Sequence, residues 1–222
     1  DKVPRPQDRA KSVTLRALAN RSNVRLQIGA ALVDGVIGAA DAIATTASAS
    51  VAVTASNGVA VATATSTAEA SAAGIDAGAG TGIDEVYNAG ILDVTADAQA
   101  ASASVSVVNT GAAVAADSVW DGGTTATAHA RGIDVGAGGD TIENDGEANA
   151  TATAFAGSVA VAVTSTGFAG ASGTSTGTAD ASAIDASAGI DSDTIINRGV
   201  LSATADADAA TASVTYTNTG AA

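Results

Sequence analysis

The chain has 222 residues and a formal net charge of −14; 46% of its residues are hydrophobic, only 2% are aromatic, and it has one His and no Cys or Met. This composition excludes a Cys/His zinc site and a disulfide framework. Most of the hydrophobic residues are Ala, which contributes little apolar area on burial, so stability must come from backbone ladders repeated many times.

The charge divides the chain early. Seven of the nine Lys and Arg residues lie in the first 30 positions, whereas 21 of the 23 acidic residues follow them. We expect residues 1–23 to form a basic N-terminal arm or cap, extended at Pro4 and Pro6 and then a short helix within residues 7–19. The basic side chains expected to contact an acidic neighbouring copy are Arg5, Arg9, Lys11, Arg16, Arg21 and Arg25.

Residues 24–222 are predicted to form an Ala/Thr/Gly-rich β repeat body that begins with a strand over 24–33. Its corners fall at Gly35, Gly90, Gly146 and Gly199, and a second set of glycines follows each corner at Gly58, Gly111, Gly167 and Gly220. The corner-to-corner spacing is 53 to 56 residues. A body this acidic is poorly suited to binding nucleic acid, and no apolar run approaches the roughly 20 residues of a membrane helix.

The alternation of apolar and polar residues changes parity ten residues after each complete corner. Leu92 to Ala100 are apolar at even positions, whereas Ala101 to Val107 are apolar at odd positions. If apolar residues stay on the buried face, this change predicts a bulge or arc that joins two strands. Phe155 falls on the polar face of its strand and is expected to be exposed.

A Gly/Asp-rich turn and a short strand precede each corner. Ile75, Ile133 and Ile184 in these turns are expected to pack against apolar residues of the following strand. The strand ends in DTIENDG (140–146), DTIINRG (193–199) or DEVYNAG (84–90). These motifs, followed by Ala/Thr alternation, resemble the repeats of large secreted bacterial surface proteins, the autotransporter passengers and filamentous-haemagglutinin-like adhesins.

The resemblance covers roughly residues 35–222 and implies an all-β fold, a repetitive parallel β-solenoid on the cell surface or outside the cell. Solenoid turns usually take some 20 to 25 residues, so each repeat would be two turns or one wide turn. Stacked antiparallel β-sandwich repeats are the alternative fold.

A second resemblance is local and concerns calcium, the one cofactor that the sequence suggests. Residues 136–142 match most of the calcium-binding nonapeptide of RTX proteins, although the copies at 78–82 and 189–193 depart from it. Calcium takes six to eight oxygen ligands; alternatively, these acids are turn residues chosen for backbone geometry. The predicted ligands, stacked from two adjacent repeats, are Asp134, Asp140, Glu143, Asp185, Asp191 and Asp193.

Catalysis has few groups to use. His129 is the single histidine, and an exposed strand position is the expected role. We therefore predict a protein that is not an enzyme, an extracellular stalk or filament that assembles head to tail with copies of itself and adheres to a surface. The alternative is a calcium-stabilised module whose loops, such as 122–129, bind a carbohydrate or a receptor.

Overall fold

In a computed structural model, the chain is described over residues 25–28, 37–77, 81–116 and 123–222. The regular secondary structure of these residues consists of β-strands. The strands are β1 (Arg25–Ile28), β2 (Ile37–Thr63), β3 (Thr67–Asp76), β4 (Glu85–Asn88), β5 (Ile91–Ala116), β6 (Thr124–Asp134), β7 (Thr141–Asn144), β8 (Glu147–Ser172), β9 (Ser175–Asp185), β10 (Thr194–Asn197) and β11 (Val200–Ala221).

The strands form three sheets with the orders β1-β4-β7-β10, β2-β5-β8-β11 and β3-β6-β9. Every pairing between neighbouring strands is parallel. Each of the first three repeats therefore contributes one strand to each sheet, and the fourth contributes β10 and β11, an arrangement compatible with a β-solenoid-like fold. The alternative of stacked antiparallel β-sandwich repeats is therefore wrong. Neighbouring strands of each sheet come from successive repeats, so each repeat of 53 to 56 residues corresponds to one wide turn rather than two turns.

Equivalent residues of successive repeats lie side by side. Ala96 pairs with Ala42 on one side and with Ala152 on the other, and Ala152 pairs with Ala205. The inward residues of β5 and β8 before the parity change form the largest core with the alanines of β3 and β6. Because most of these side chains are Ala, the two facing sheets approach closely and gain little area per residue.

The long strands fold back at the second set of glycines. Gly111, Gly167 and Gly220 have φ values of 130°, 129° and 138°, a conformation that other residues rarely adopt. After Gly111 the chain packs against the residues before it, since Val108, Ala113 and Ala115 share one core cluster. We call this fold-back, residues 101–116 and its equivalents, the β-arch.

The bulge or arc predicted at the parity change does not occur there. Pairing runs without a shift through Ala100 with Ala156 and Ala101 with Gly157. The backbone instead continues straight, so Ser102, Ser104 and Ser106 take the buried positions. The apolar residues between them point outward. The one shift in this sheet lies between Thr54 and Asn57 of β2.

The third cluster lies beside the corners and confirms most of the expected isoleucine contacts. Ile75, Ile133, Val86 and Ile142 are buried together, and Ile184 packs against them. Ile195 is an exception, 49% exposed in β10 at the end of its sheet. The predicted entry strand is present as β1, whereas residues 1–23 and the predicted helix lie outside the described residues.

Candidate functional site

A ladder of asparagine side chains runs through the corners. The Nδ2 of Asn88 donates to Asn144 Oδ1 over 2.6 Å, and the Nδ2 of Asn144 donates to Asn197 Oδ1 over 2.7 Å. Asn88 and Asn144 are fully buried. Stacked amides of this kind stabilise parallel in-register strands, which explains why Asn recurs at this position of each motif.

The corner glycines are required by the same close stacking. A Cβ on Gly146 would lie far inside van der Waals contact with the carbonyl oxygen of Gly90, and a Cβ on Gly199 would collide with that of Gly146. Neither glycine is at positive φ. The Asn-x-Gly corner therefore combines a side chain that links repeats with a residue that lets their backbones approach.

A second ladder consists of aspartates. The backbone N–H of Asp84 donates to Asp140 Oδ1 over 2.8 Å, and the N–H of Asp140 donates to Asp193 Oδ1 over 2.9 Å. Asp140 is 1% exposed, and its Oδ2 is buried without a hydrogen-bond partner. Burial raises the pKa of Asp140, opposed by the hydrogen bond from Asp84.

Asp134 and Asp185 lie next to each other in β6 and β9. The Nε of Arg131 donates to Asp185 Oδ2 over 2.7 Å, and an Nη of Arg131 lies 3.6 Å from Asp134 Oδ2. The Ser187 hydroxyl and, further, Arg131 lower the pKa of Asp185. The pKa of Asp134 is raised, chiefly by burial. Both carboxylates also accept a backbone N–H two residues ahead, as turn residues do.

Glu143 lies on the surface beside the side chain of Arg198. Arg198 forms ion pairs with Glu143 and with Asp145, the latter over 3.0 Å, and so connects two adjacent repeats. The Tyr87 hydroxyl donates to Asp145 over 3.1 Å, and this bond raises the pKa of Tyr87.

The predicted calcium ligands are thus divided among three places. Asp140 and Asp193 are joined through a backbone N–H, Asp134 and Asp185 share Arg131, and Glu143 pairs with Arg198. Asp191 is exposed in the turn before Asp193. In the ranges that the structure describes, no three His, Asp or Glu side chains form a group able to hold a metal ion.

The predicted basic contact residues fall almost entirely outside the described chain. Arg5, Arg9, Lys11, Arg16 and Arg21 lie in the undescribed N-terminal segment. Arg25 begins β1, which pairs with β4 at one end of its sheet, opposite to β10. Exposed acidic residues lie at the β10 and β11 end, namely Asp191, Asp206 and Asp208.

The expectation that apolar residues stay on the buried face missed one exposed apolar surface. It is the outward surface of the first limb of the β-arch, residues 101–108 and their equivalents in the other repeats. Its columns across β2, β5, β8 and β11 include Val51, Val105, Val161 and Val214, and then Val53, Val107, Val163 and Tyr216. Two further columns contain Ala, Gly and Val159. We call these sixteen outward residues the valine face: Ala47, Ala49, Val51, Val53, Ala101, Ala103, Val105, Val107, Gly157, Val159, Val161, Val163, Ala210, Ala212, Val214 and Tyr216.

The same sheet surface is polar closer to the corners. Its outward residues there include Asp41, Asp93, Asp97, Asp206 and Asp208. Phe155 lies among them and is 43% exposed, as expected. His129 lies on the outward side of β6 with its Nδ1 3.5 Å from Asp180 of β9. The loop expected at 122–129 is instead mostly strand, because β6 begins at Thr124.

Comparison with protein families, with curated proteins and with solved structures finds no match to this chain. Over the described part of the chain, no helix has the length and hydropathy needed to cross a membrane.

Proposed function

We propose that this chain is a structural repeat protein, a β-solenoid with an Ala-filled core that forms an extended stalk or self-assembling filament. We place it outside the cell or on the cell surface, with adhesion as its purpose. The observation that carries this proposal is the parallel pairing of the long strands, which keeps equivalent residues side by side with one shift, in β2, so that each repeat offers the next a similar backbone edge. Such stacking extends by addition of like units.

The ladders support the same proposal. The Asn and Asp side chains make their bonds between repeats, as does Arg198. The side-chain chemistry of the corners is thus used to hold one repeat on the next. The outermost long strands, β2 and β11, are 27 and 22 residues long, and each pairs on one side only within the described chain. Long unpaired edges of this kind are templates for pairing with another chain.

Head-to-tail assembly is the form of growth that the charges favour. The basic segment precedes β1 at one end, and Asp191, Asp206 and Asp208 are exposed at the other. Opposite charges at the two ends steer copies into a heterologous contact, which builds open filaments.

Electron microscopy of the full chain tests the proposal. We expect long uniform filaments with a repeat of about 4.8 Å along the axis for paired strands. Deletion of residues 1–22, or Gln at Arg5, Arg9, Arg16 and Arg21, should leave short particles, while Lys at the same four positions should preserve the filaments. Compact particles without the axial repeat in the full chain would refute the structural role, and intact filaments after deletion would refute the role of the basic segment.

Calcium remains a proposal with a separate test. Asp140 and Asp193 are the best-placed ligands, because Asp140 Oδ2 is buried without a partner and Asp193 adjoins it. A melting temperature raised by about 1 mM calcium, a concentration that fills extracellular sites, and insensitive to calcium in Asp193→Asn, would support binding. Equal melting temperatures in calcium and in chelator would contradict it.

A further inference from the structure

The valine face is a large apolar surface on a strongly acidic chain. None of its sixteen residues is charged, although the net charge of the chain is −14. Val51, Val53 and Val214 are 70%, 68% and 53% exposed, and Tyr216 is 57% exposed. Within the described residues nothing covers them. Contiguous apolar surface of this kind marks an interaction site.

We propose that the valine face is a dimer interface, at which two copies of this chain pack sheet against sheet. The inference does not depend on head-to-tail growth, since the valine face lies on the side of the stack and the growing ends do not.

Charge selects the orientation of the second copy. The outward residues nearer the corners include five aspartates, so the acidic and the apolar regions lie side by side along the same strands. A two-fold axis parallel to the stacking direction reverses the strands of the partner. The two apolar regions then face each other, while the acidic regions lie at opposite sides, beyond the tips of the partner's β-arches. A two-fold axis along the strands would instead bring the aspartates together, which costs free energy through like-charge repulsion.

The size of the face is sufficient. Four strands at about 4.8 Å and eight residues at about 3.3 Å give roughly 500 Å² on each copy. The two copies together would bury about 1,000 Å², the lower bound for a specific interface. Each additional repeat would add a further strand to the face, so the interface grows with the stack.

The residues of the face suit flat sheet packing. Outward β-branched side chains in register form even ridges, and two such sheets pack about 10 Å apart. One column of the face has Val in all four repeats, at Val51, Val105, Val161 and Val214. A two-fold axis along the stack places each such residue opposite its own repeat in the partner, so the face is complementary to itself.

Sedimentation equilibrium measures the interface in the full-length chain with Gln at Arg5, Arg9, Arg16 and Arg21, which should not grow into filaments. The test variant adds Val51→Glu/Val214→Glu to this background, and the control adds Val59→Glu/Phe168→Glu, at similarly exposed residues in the second limb of the β-arch. We expect a dimer for the background and the control, and a dissociation constant at least about 100-fold higher for the test variant, since each Glu is desolvated against an apolar partner. Unchanged far-ultraviolet circular dichroism verifies that both variants fold.

Cross-linking tests the orientation, because the chain has no Cys of its own. A Cys at Val105 should cross-link to its counterpart through a short bismaleimide, whereas a Cys at Thr95 should not, since the two-fold axis separates the two copies of that position by about 60 Å. A monomer at about 100 µM, well above the dissociation constants of specific dimers, would overturn the proposal. So would a test variant as dimeric as the control, cross-linking at Thr95 equal to that at Val105, or dimers that appear only when residues 1–23 are deleted and thus reveal that segment as the occupant.

Discussion

Removal of the buried amide of Asn144 from the asparagine ladder should destabilise the fold far more than removal of the exposed amide of Asn197. In Asn144→Ala the buried Nδ2 of Asn88 loses its 2.6 Å acceptor and keeps only the carbonyl oxygen of Glu147 at 3.3 Å. A buried donor left without a good partner costs about 1 to 3 kcal/mol, and the lost bond to Asn197 adds about 0.5 to 1.5 kcal/mol. We therefore expect a loss of about 2 to 4 kcal/mol in the free energy of unfolding.

Urea denaturation followed by far-ultraviolet circular dichroism measures this loss. Asn197→Ala is the matched control, because Asn197 occupies the same ladder position in the exposed strand β10 and water can replace its oxygen. The control should lose about 1 kcal/mol or less. If the two variants differ by less than about 0.5 kcal/mol, within the usual spread for surface substitutions, the buried ladder does not stabilise the stack as we have reasoned.

Three further predictions rest on single contacts. Gly146→Ala should abolish folding or cost more than about 3 kcal/mol, whereas Gly139→Ala, whose added Cβ would be 3.5 Å from the nearest atom, should be nearly neutral in the same denaturation assay. Burial raises the pKa of Asp140 above its unfolded value of about 3.9, so ionisation of Asp140 costs stability at neutral pH. Asp140→Asn should therefore be more stable than the parent protein at pH 7, and this advantage should disappear as pH falls through the raised pKa. A constant difference in the free energy of unfolding from pH 7 to about 4 would contradict this. Ser104→Ala should stabilise the fold by about 0.5 to 2 kcal/mol, because the Ser104 hydroxyl is buried without a hydrogen-bond partner. Ser106→Ala should destabilise the fold by about 1 kcal/mol, because the Ser106 hydroxyl donates to the carbonyl oxygen of Ala60 over 2.7 Å. Equal changes in the melting temperatures of the two variants would contradict both predictions.

The repeat boundaries were predictable from the sequence because their chemistry is local and repeated. Gly146 and Gly199 lie at equivalent positions, and only a residue without a Cβ fits where successive backbones meet. The asparagines two residues earlier recur for a related reason, since each bonds to the next. The spacing predicted the repeat period, and the resemblance to solenoid repeats implied that equivalent positions stack, which the strand register confirms.

An arc was predicted at the parity change rather than at Gly111, where the chain folds back, because apolar character is a poor guide to burial in a narrow interior. Apart from Val108 next to the turn, the limbs of the β-arch are separated by small side chains such as Ser104, Ala113 and Ala115, which leave little room for Val. Valine is nevertheless favoured in strands by its branched Cβ, and here it occupies the outward positions. The parity change was therefore a real signal, and it marks where the outward surface changes from polar to apolar.

The ion pairs between repeats could not be predicted from the sequence. Arg198 and Glu143 are 55 residues apart, and Arg131 and Asp185 are 54 apart, so their contacts depend on the exact register between repeats. Once that register is known, both pairs follow from it. The acids expected to bind calcium are mostly explained by such pairs or by turns, while Asp140 retains an oxygen with no partner.

One strand per sheet in each repeat also determines how damage is distributed. Each repeat contacts only the one before and the one after it, so the free energy of the whole is close to a sum over separate interfaces. A flaw at one corner leaves the other interfaces intact and localises the break to a single plane across the stack. A longer array of such repeats would therefore be no stronger than its poorest interface, however many sound repeats lie on either side.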